Sequence, residues 1–107
     1  MFLHLGGDIV IPIKDIVSII DASSVIKSKD TKEFFRIAEE EGFVYRISEE
    51  KPKSFVVTEK TEKINKGKEI IVKTIIYYSP ISSVTLQKRA SFIDEVHFDG
   101  EIGLGKK

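Results

Sequence analysis

The sequence predicts a small α+β domain in which two helices pack on a mostly antiparallel sheet. Three observations predict this fold class: short β-branched stretches separated by turn residues, two segments with helical periodicity and caps, and a length of 107 residues that suits one domain. A chain with 41% hydrophobic residues can form a core without covalent staples. The complete lack of Cys excludes disulfides, thiol catalysis and cysteine-ligated metal sites.

The N-terminal part of the chain predicts three strands. Residues 2–5 and 9–13 are apolar and flank a Gly6-Gly7-Asp8 turn, which is typical of a hairpin. Pro12 indicates a strand end or a sheet edge, because it has no N–H group to donate. Residues 16–20 are β-branched and predict a strand that is buried on both faces. The polar residues 21–29 predict a loop.

The first helix is predicted over about residues 30–41. Asp30 is the expected N-cap, with Glu33 bonding back to it, and Gly42 stands where a left-handed residue ends a helix. The spacing predicts a core-facing side made of Phe34, Phe35, Ile37 and Ala38. The acids at residues 39–41 oppose the helix dipole, and we interpret them first as a solvated face and otherwise as a magnesium or partner site.

The middle of the chain predicts further strands over residues 43–47 and 54–58. A long hairpin is predicted near residues 54–78, because a polar segment around Asn65-Lys66-Gly67 separates two strand-like stretches. The part of this hairpin between residues 59 and 73 is interpreted either as an added DNA-binding arm or as a tolerated surface insertion, with a slight preference for the insertion.

The C-terminal part predicts a second helix over about residues 80–90. Ser79 is the expected cap and Pro80 the first helical residue, where the missing N–H does no harm. A short strand is predicted over residues 92–98. We therefore expect one domain over residues 1–98 and a flexible C-terminal tail over 99–107.

The net charge of zero conceals an uneven distribution. Residues 1–50 have a balance of −4, residues 51–90 of +6 and residues 91–107 of −2. A local basic region is what phosphate contact requires, since each neutralised phosphate releases counterions. Lysines that only solubilise an exposed hairpin produce the same pattern, so charge alone leaves both interpretations open.

The sequence contains no recognisable catalytic or cofactor motif. The two histidines, His4 and His97, lie at opposite ends of the chain, and no metalloprotease, P-loop or dinucleotide-binding pattern is present. His4 is expected on the face opposite Leu3 and Leu5. We therefore expect no enzyme, no metal and no small-molecule cofactor. Without a signal peptide or a membrane-length apolar run, the expected location is the cytoplasm.

Three stretches together resemble the RemA/RemB family of extracellular matrix regulators, and in particular its RemB-type members. The N-terminal stretch is Phe2-Leu3-His4-Leu5-Gly6-Gly7-Asp8-Ile9-Val10 followed by Lys14-Asp15-Ile16-Val17. The middle stretch is Pro52-Lys53-Ser54-Phe55-Val56-Val57-Thr58. The last is Tyr77-Tyr78-Ser79-Pro80-Ile81-Ser82-Ser83-Val84-Thr85-Leu86-Gln87-Lys88-Arg89-Ala90. The resemblance implies a small bacterial protein that activates biofilm-matrix genes.

The resemblance also implies candidate DNA-binding residues. The RemA branch binds promoter DNA through an arginine-rich turn, and the matching positions here hold Lys51 and Lys53 after the acidic pair Glu49-Glu50. Lys14 matches a further basic position. Lys88 and Arg89, in the last of the three stretches, are additional candidates. Lysine contacts phosphate as a point charge, so backbone contact is favoured over base-specific recognition.

Two functions follow from these observations. The first is a regulator that binds double-stranded promoter DNA as a homo-oligomer, since the few lysines of one subunit bind weakly unless several subunits act together. The second is a protein-interaction module that acts on another regulator, with its contact formed by the acidic helix end and Tyr77-Tyr78. Glu49 and Glu50 favour the second function, because they repel phosphate.

Overall fold

The computed structural model describes residues 1–65 and 67–93, with side chains described as far as residue 90. These residues form, in chain order, β1 (Phe2–Gly6), β2 (Ile9–Pro12), a 3-10 turn (Ile13–Asp15), β3 (Ile16–Asp21), α1 (Ala22–Val25), α2 (Lys29–Glu40), β4 (Val44–Arg46), β5 (Ser54–Asn65), β6 (Lys68–Ser79) and α3 (Ser83–Ile93).

A four-stranded sheet lies at the centre, in the strand order β3-β5-β6-β4. β3, β5 and β6 are antiparallel neighbours, whereas β4 runs parallel to β6. β1 and β2 form a separate antiparallel hairpin. The α+β fold class with a mostly antiparallel arrangement is therefore confirmed.

The sheet carries a separate core on each face. Successive side chains of a strand point to opposite faces, and Phe55 and Val56 of β5 accordingly belong to different cores. One core joins the β1–β2 hairpin and α3 to the sheet and includes Leu3, Leu5, Ile11, Ile19, Val56 and Leu86. The other core joins α2 to the sheet and includes Val25, Phe35, Ala38, Phe55, Ile76 and Tyr78.

The N-terminal hairpin forms as predicted. Leu3 and Leu5 are buried and His4 is exposed, as the alternation of a strand requires. The His4 ring contributes to the turn, because its Nε2 donates a hydrogen bond to the Gly7 carbonyl at 2.8 Å. Pro12 is the last residue of β2, which confirms its predicted position at a strand end.

Two predictions for residues 16–29 are wrong. β3 is an edge strand and Val17 remains 42% exposed, so the strand is not buried on both faces. The predicted loop contains the short helix α1, which begins because the Asp21 carboxylate accepts a hydrogen bond from the Ser23 N–H at 3.1 Å. β-Branched composition did not reveal that β3 has only one sheet neighbour.

The first predicted helix, α2, is capped by a residue other than the predicted one. Ser28 is the N-cap, and its hydroxyl accepts a hydrogen bond from the Thr31 N–H at 3.2 Å, whereas Asp30 lies inside the first turn. Gly42 has a φ of 82°, which confirms the predicted helix end. The core-facing side is narrower than predicted: Phe35 and Ala38 are buried, while Phe34 and Ile37 are exposed.

The second predicted helix, α3, begins at Ser83 rather than at Pro80. Ser82 caps it, since its hydroxyl accepts a hydrogen bond from the Thr85 N–H at 3.2 Å. The predicted cap, Ser79, is fully buried and instead donates a hydrogen bond to the Leu5 carbonyl at 2.6 Å. The strand predicted over 92–98 is wrong at its start, because α3 continues to Ile93, and its remainder and the predicted tail lie outside the described residues.

The long hairpin is confirmed, and it extends well beyond the cores. Residues 60–65 of β5 and 68–73 of β6 are exposed at every position, and we call these two segments the arm. Lys66 at the tip lies outside the described residues. β6 has one more residue than β5 between the pairs Lys60–Lys73 and Thr61–Ile71, which is a β-bulge at Val72.

Candidate nucleic-acid interface

Residues Lys51-Pro52-Lys53 form a turn that the surrounding backbone holds in place, and we call it the basic turn. The Lys53 N–H donates a hydrogen bond to the Ser79 carbonyl at 2.8 Å, and the Lys53 carbonyl accepts one from the Ala22 N–H at 3.1 Å. Pro52 is half-buried and restricts the backbone between two exposed lysines. The basic turn is thus tied to the end of β6 on one side and to the start of α1 on the other.

The basic turn borders a shallow depression of about 400 Å³. Its lining comprises Asp21, Ala22, Ser23, Ile26, Lys51, Pro52, Lys53 and Ser82. Ser82 is the cap of α3, so the N-terminus of an 11-residue helix reaches the same depression as both lysines. Free N–H groups at a helix N-terminus and lysine ammonium groups attract the same ligands, namely anions.

The electrostatics of the depression are predominantly positive. Lys51 and Lys53 take no part in the ion pairs found among the described residues, which involve only Arg36 and Arg46. The Asp21 carboxylate is occupied by capping α1, since it accepts hydrogen bonds from the Ser23 N–H and from its hydroxyl, both at 3.1 Å. Two exposed cations therefore share the depression with an acid that is already engaged within the protein.

The predicted site residue Lys14 does not join the basic turn. It lies in the 3-10 turn before β3, whereas the basic turn precedes β5. Because β3 and β5 are antiparallel, with Ile16 paired to Thr58 and Asp21 to Ser54, these two places are at opposite ends of β3. At about 3.4 Å per residue, the strand separates them by about 17 Å.

Lys88 and Arg89, the additional candidates, are exposed on α3. They follow the capping residue Ser82 by more than one helical turn, so they lie away from the depression. The Arg89 guanidinium is directed towards β1, where it donates a long hydrogen bond to the His4 carbonyl at 3.5 Å. The structure therefore brings together Lys51 and Lys53, and distributes Lys14, Lys88 and Arg89 over other parts of the surface.

Two of the residues predicted to contact another regulator, Glu39 and Tyr78, bond to each other within the protein. Tyr78 is only 4% exposed, and its hydroxyl donates a hydrogen bond to Glu39 at 2.7 Å. The Arg46 guanidinium lies 4.9 Å from the centre of the Tyr78 ring and 3.7 Å from the Glu39 carboxylate. Glu40 pairs with Arg36 on the same helix. Glu39 thus joins α2 to the sheet, and Glu40 pairs within the helix.

Burial, together with the hydrogen bond to Glu39, raises the pKa of Tyr78 above its ordinary value. The folded state therefore keeps this proton at a pH where the unfolded state, with a pKa of about 10, loses it. The resulting stability is present below pH 10 and is lost as the pH rises further.

We accordingly expect Tyr78→Phe to lose about 1 kcal/mol at neutral pH, because one hydrogen bond is removed. We also expect its stability to decline less steeply than that of the wild type above pH 10. Urea unfolding at several pH values measures both effects. Tyr45→Phe is the control at neutral pH, because it removes the hydroxyl of a side chain that is half-exposed. A Tyr78→Phe variant whose stability declines above pH 10 as steeply as that of the wild type would contradict the role assigned to Tyr78.

Sequence reasoning missed Ser82 as a residue of this site. Ser79-Pro80 had the stronger local signal for a helix start, and only the hydrogen bond to Thr85 identifies Ser82 as the cap. No cluster of three potential metal-ligating side chains occurs among residues 1–65 and 67–93. In the same part of the chain, no helix has the length and apolar character needed to span a membrane.

Comparisons with known proteins identify one family and one curated relative. Residues 2–90 match the family described as RemA-like, extracellular matrix regulatory protein A-like. The chain is 36% identical over 96 residues to extracellular matrix regulatory protein B of Bacillus subtilis strain 168, which covers 90% of this chain and 98% of that protein. No solved structure matches this chain significantly.

Proposed function

The chain belongs to the RemA-like family of extracellular matrix regulatory proteins, and on this premise we propose that it is a DNA-binding transcriptional regulator of matrix and biofilm genes. It acts in the cytoplasm, without catalysis or a cofactor, on double-stranded promoter DNA. The relative from Bacillus subtilis is named for extracellular matrix regulation, which supports the class of gene controlled. The basic turn is the part of the chain that touches DNA.

The observation that carries this proposal is the convergence of Lys51, Lys53 and the N-terminus of α3 on one depression. Each of these three groups favours a phosphate oxygen. The backbone hydrogen bonds of Lys53 fix the position of the turn before DNA arrives, so little ordering is needed on binding. Lysine side chains suit the sugar–phosphate backbone rather than the base edges.

One subunit alone makes too few phosphate contacts for useful affinity. Two phosphate contacts correspond to a slope of about −2 in a plot of log affinity against log salt concentration. Several subunits along one duplex multiply this affinity, because each later contact is made within an existing complex. We therefore propose that the DNA-binding form is a homo-oligomer.

The decisive variant is the double charge reversal Lys51→Glu/Lys53→Glu. We expect it to reduce affinity for a promoter fragment by at least about 100-fold in the oligomer, because every subunit exchanges two attractive contacts for two repulsive ones. Electrophoretic mobility shifts over a series of salt concentrations measure both the affinity and the slope. Lys51→Arg/Lys53→Arg should retain binding.

The matched control is Lys29→Glu/Lys32→Glu on α2, which changes the net charge by the same amount at two exposed positions. We expect it to bind nearly as the wild type does, because neither Lys29 nor Lys32 lines the depression that the basic turn borders. Equal losses in the two double variants would contradict a local interface and indicate a diffuse charge effect.

A second candidate function is a protein-interaction module that acts on another regulator. The observation that favours it is the exposure of Phe34 and Ile37 on α2, at 52% and 44%, since side chains this apolar are common in protein interfaces. Failure of the wild-type protein to bind promoter DNA even at low salt would support this candidate over DNA binding.

A further inference from the structure

A second depression lies at the base of the arm, and we call it the arm-base depression. It lies between β2, the 3-10 turn, β5 and β6, and has a volume of about 360 Å³. Its lining comprises Val10, Ile11, Pro12, Asp15, Thr58, Lys60, Lys73, Ile75 and Tyr77. None of these residues lines the depression beside the basic turn, so the two depressions are separate. Small-molecule sites have volumes of about 300–1,000 Å³, and this depression is within that range.

Lys60 and Lys73 form a cationic end of the arm-base depression. They are directly opposite each other in the pairing of β5 with β6, and both are exposed. The pair Thr58–Ile75 lies two residues away along both strands, so it shares their face of the sheet. Neither lysine joins an ion pair among the described residues. Since like charges directly opposite each other destabilise a sheet, this arrangement favours the binding of an anion.

One phosphate monoester can satisfy both lysines. Directly opposed residues of neighbouring strands have Cβ atoms about 5 Å apart, and flexible lysine side chains can bring their ammonium groups to one ligand. A phosphate monoester carries nearly two negative charges at neutral pH and has three acceptor oxygens. A carboxylate carries only one charge, so it would leave the second lysine uncompensated.

The apolar part of the lining suits an uncharged aromatic body. Val10 is 53% exposed, and the half-buried members of the lining include Pro12, Ile75 and Tyr77. Pockets for small ligands are mainly apolar, with a few polar groups at defined places. The apolar surface lies in the same depression as the two lysines, so one molecule with an anionic end and an apolar end can contact both.

Asp15 is the acidic residue of the lining, and it disfavours a ligand with several charges. Its carboxylate joins no ion pair among the described residues, so it repels further anionic groups and can accept hydrogen bonds from hydroxyl or amino groups. Burial, followed by the neighbouring Tyr45 and Asp15, raises the pKa of Tyr77, which keeps its hydroxyl protonated. Each DNA strand carries a charge about every 3.4 Å, so a ligand with a single phosphate fits better than a duplex.

We propose that the arm-base depression binds a small phosphate monoester with an uncharged aromatic body, of which a mononucleotide is an example. The phosphate lies between Lys60 and Lys73, and the aromatic body lies against Val10, Pro12 and Tyr77. Hydroxyl or amino groups of the ligand donate hydrogen bonds to the carboxylate in the 3-10 turn. This inference goes beyond the proposed function, because it concerns a small ligand at a place separate from the basic turn.

The chemical class of the ligand is tested with three probes and the full-length protein. Isothermal titration calorimetry should show saturable binding of adenosine 5′-monophosphate. Ribose 5-phosphate lacks the base and should bind about tenfold more weakly, as expected when one stacked base is lost. Adenosine lacks the phosphate and should also bind at least about tenfold more weakly. Undetectable binding of adenosine 5′-monophosphate, or an equal affinity for ribose 5-phosphate, would overturn the assigned class.

Paired lysine variants locate the phosphate. Lys60→Ala/Lys73→Ala should lower the affinity for adenosine 5′-monophosphate at least about tenfold, because two charge-assisted contacts are lost. Lys60→Arg/Lys73→Arg should retain binding. Lys63→Ala/Lys68→Ala is the matched control, since it removes the same charge from exposed positions of the same arm that do not line the depression. Circular dichroism verifies that each variant is folded, and equal losses in the two alanine variants would refute a local site.

A DNA titration distinguishes a free phosphate monoester from the phosphates of a nucleic acid. The probe is a blunt duplex with 5′-hydroxyl ends, so that it carries no terminal phosphate. We expect Lys60→Ala/Lys73→Ala to bind this duplex within about twofold of the wild type, because the basic turn is unchanged. A loss of duplex affinity as large as the loss for adenosine 5′-monophosphate would assign these lysines to DNA and exclude a dedicated small-ligand site.

Discussion

Phe35→Ala should lower the free energy of unfolding by about 3–5 kcal/mol, the range observed when a large aromatic side chain is removed from a core. Phe35 is 5% exposed and packs α2 against the sheet. Its ring centre lies 4.6 Å from that of Phe55 and 6.2 Å from that of Tyr78. Removal leaves a cavity beside Phe55 and Tyr78 and loses the contacts that the Phe35 ring makes with both.

The adjacent residue provides a matched control. Phe34 is the same residue type on the same helix but is 52% exposed, so Phe34→Ala should change the free energy of unfolding by less than about 1 kcal/mol. Urea unfolding followed by far-UV circular dichroism compares the two variants directly. Similar losses would mean that α2 packs on the sheet through a different face from the one described.

These two phenylalanines also show how far the sequence could predict the packing of α2. Helical periodicity correctly indicated that this side of the helix faces a core, but Phe34 and Phe35 are adjacent and point only about 100° apart. Which of them is buried depends on where Phe55 and Tyr78 lie, and those residues come from strands far along the chain. Local periodicity contains no information on that position.

The helix starts were mispredicted for a related reason. Asp30 and Ser28 are both good caps, as are Ser79 and Ser82, and local sequence alone does not identify which residue of each pair caps the helix. Tertiary contacts decide between them. Ser79 does not cap α3, because its hydroxyl donates to the Leu5 carbonyl, 74 residues earlier in the chain, and accepts from the Ile81 N–H, which precedes the helix.

The candidate site was predictable only in part. The resemblance to matrix regulators indicated Lys51 and Lys53, and the structure shows that both border one depression. It also indicated Lys14, but the antiparallel register of β3 and β5 separates Lys14 from the basic turn by the length of a strand. Strand register arises from pairing between distant segments, so a motif cannot reveal which of its basic residues are neighbours.

For the arm, too, local sequence predicted the hairpin but could not predict which strands lie beside it. The turn residues near Gly67 and the flanking strand-like stretches were sufficient to predict a long hairpin. They could not show that β4 stops at Arg46 and leaves the outer edge of β6 unpaired. The edge is unpaired because β4, a short parallel strand that precedes β5 in the chain, pairs with only three residues of β6.

Gly6→Ala should lower the free energy of unfolding by about 2–4 kcal/mol, since two unfavourable effects combine at this position. Gly6 has a φ of 119°, a conformation that side chains disfavour, and an added Cβ would lie 3.0 Å from two atoms of the Pro80 ring. The ring is rigid, so the N-terminal hairpin and the segment leading to α3 would have to separate. That movement strains the neighbouring hydrogen bond from Ser79 to Leu5.

The same substitution connects stability with the basic turn. The Ser79 carbonyl holds the Lys53 N–H at 2.8 Å, so a shift at Pro80 disturbs both Lys53 and the start of α3. We therefore expect Gly6→Ala to weaken DNA binding even at temperatures where the variant remains folded. Gly67→Ala is the control: its φ is 89°, but an added Cβ meets nothing within 4 Å, so it should lose only about 1–2 kcal/mol and leave DNA binding unchanged. Equal losses of stability in the two variants would show that backbone strain alone acts at Gly6, and that its contact with Pro80 does not position the basic turn.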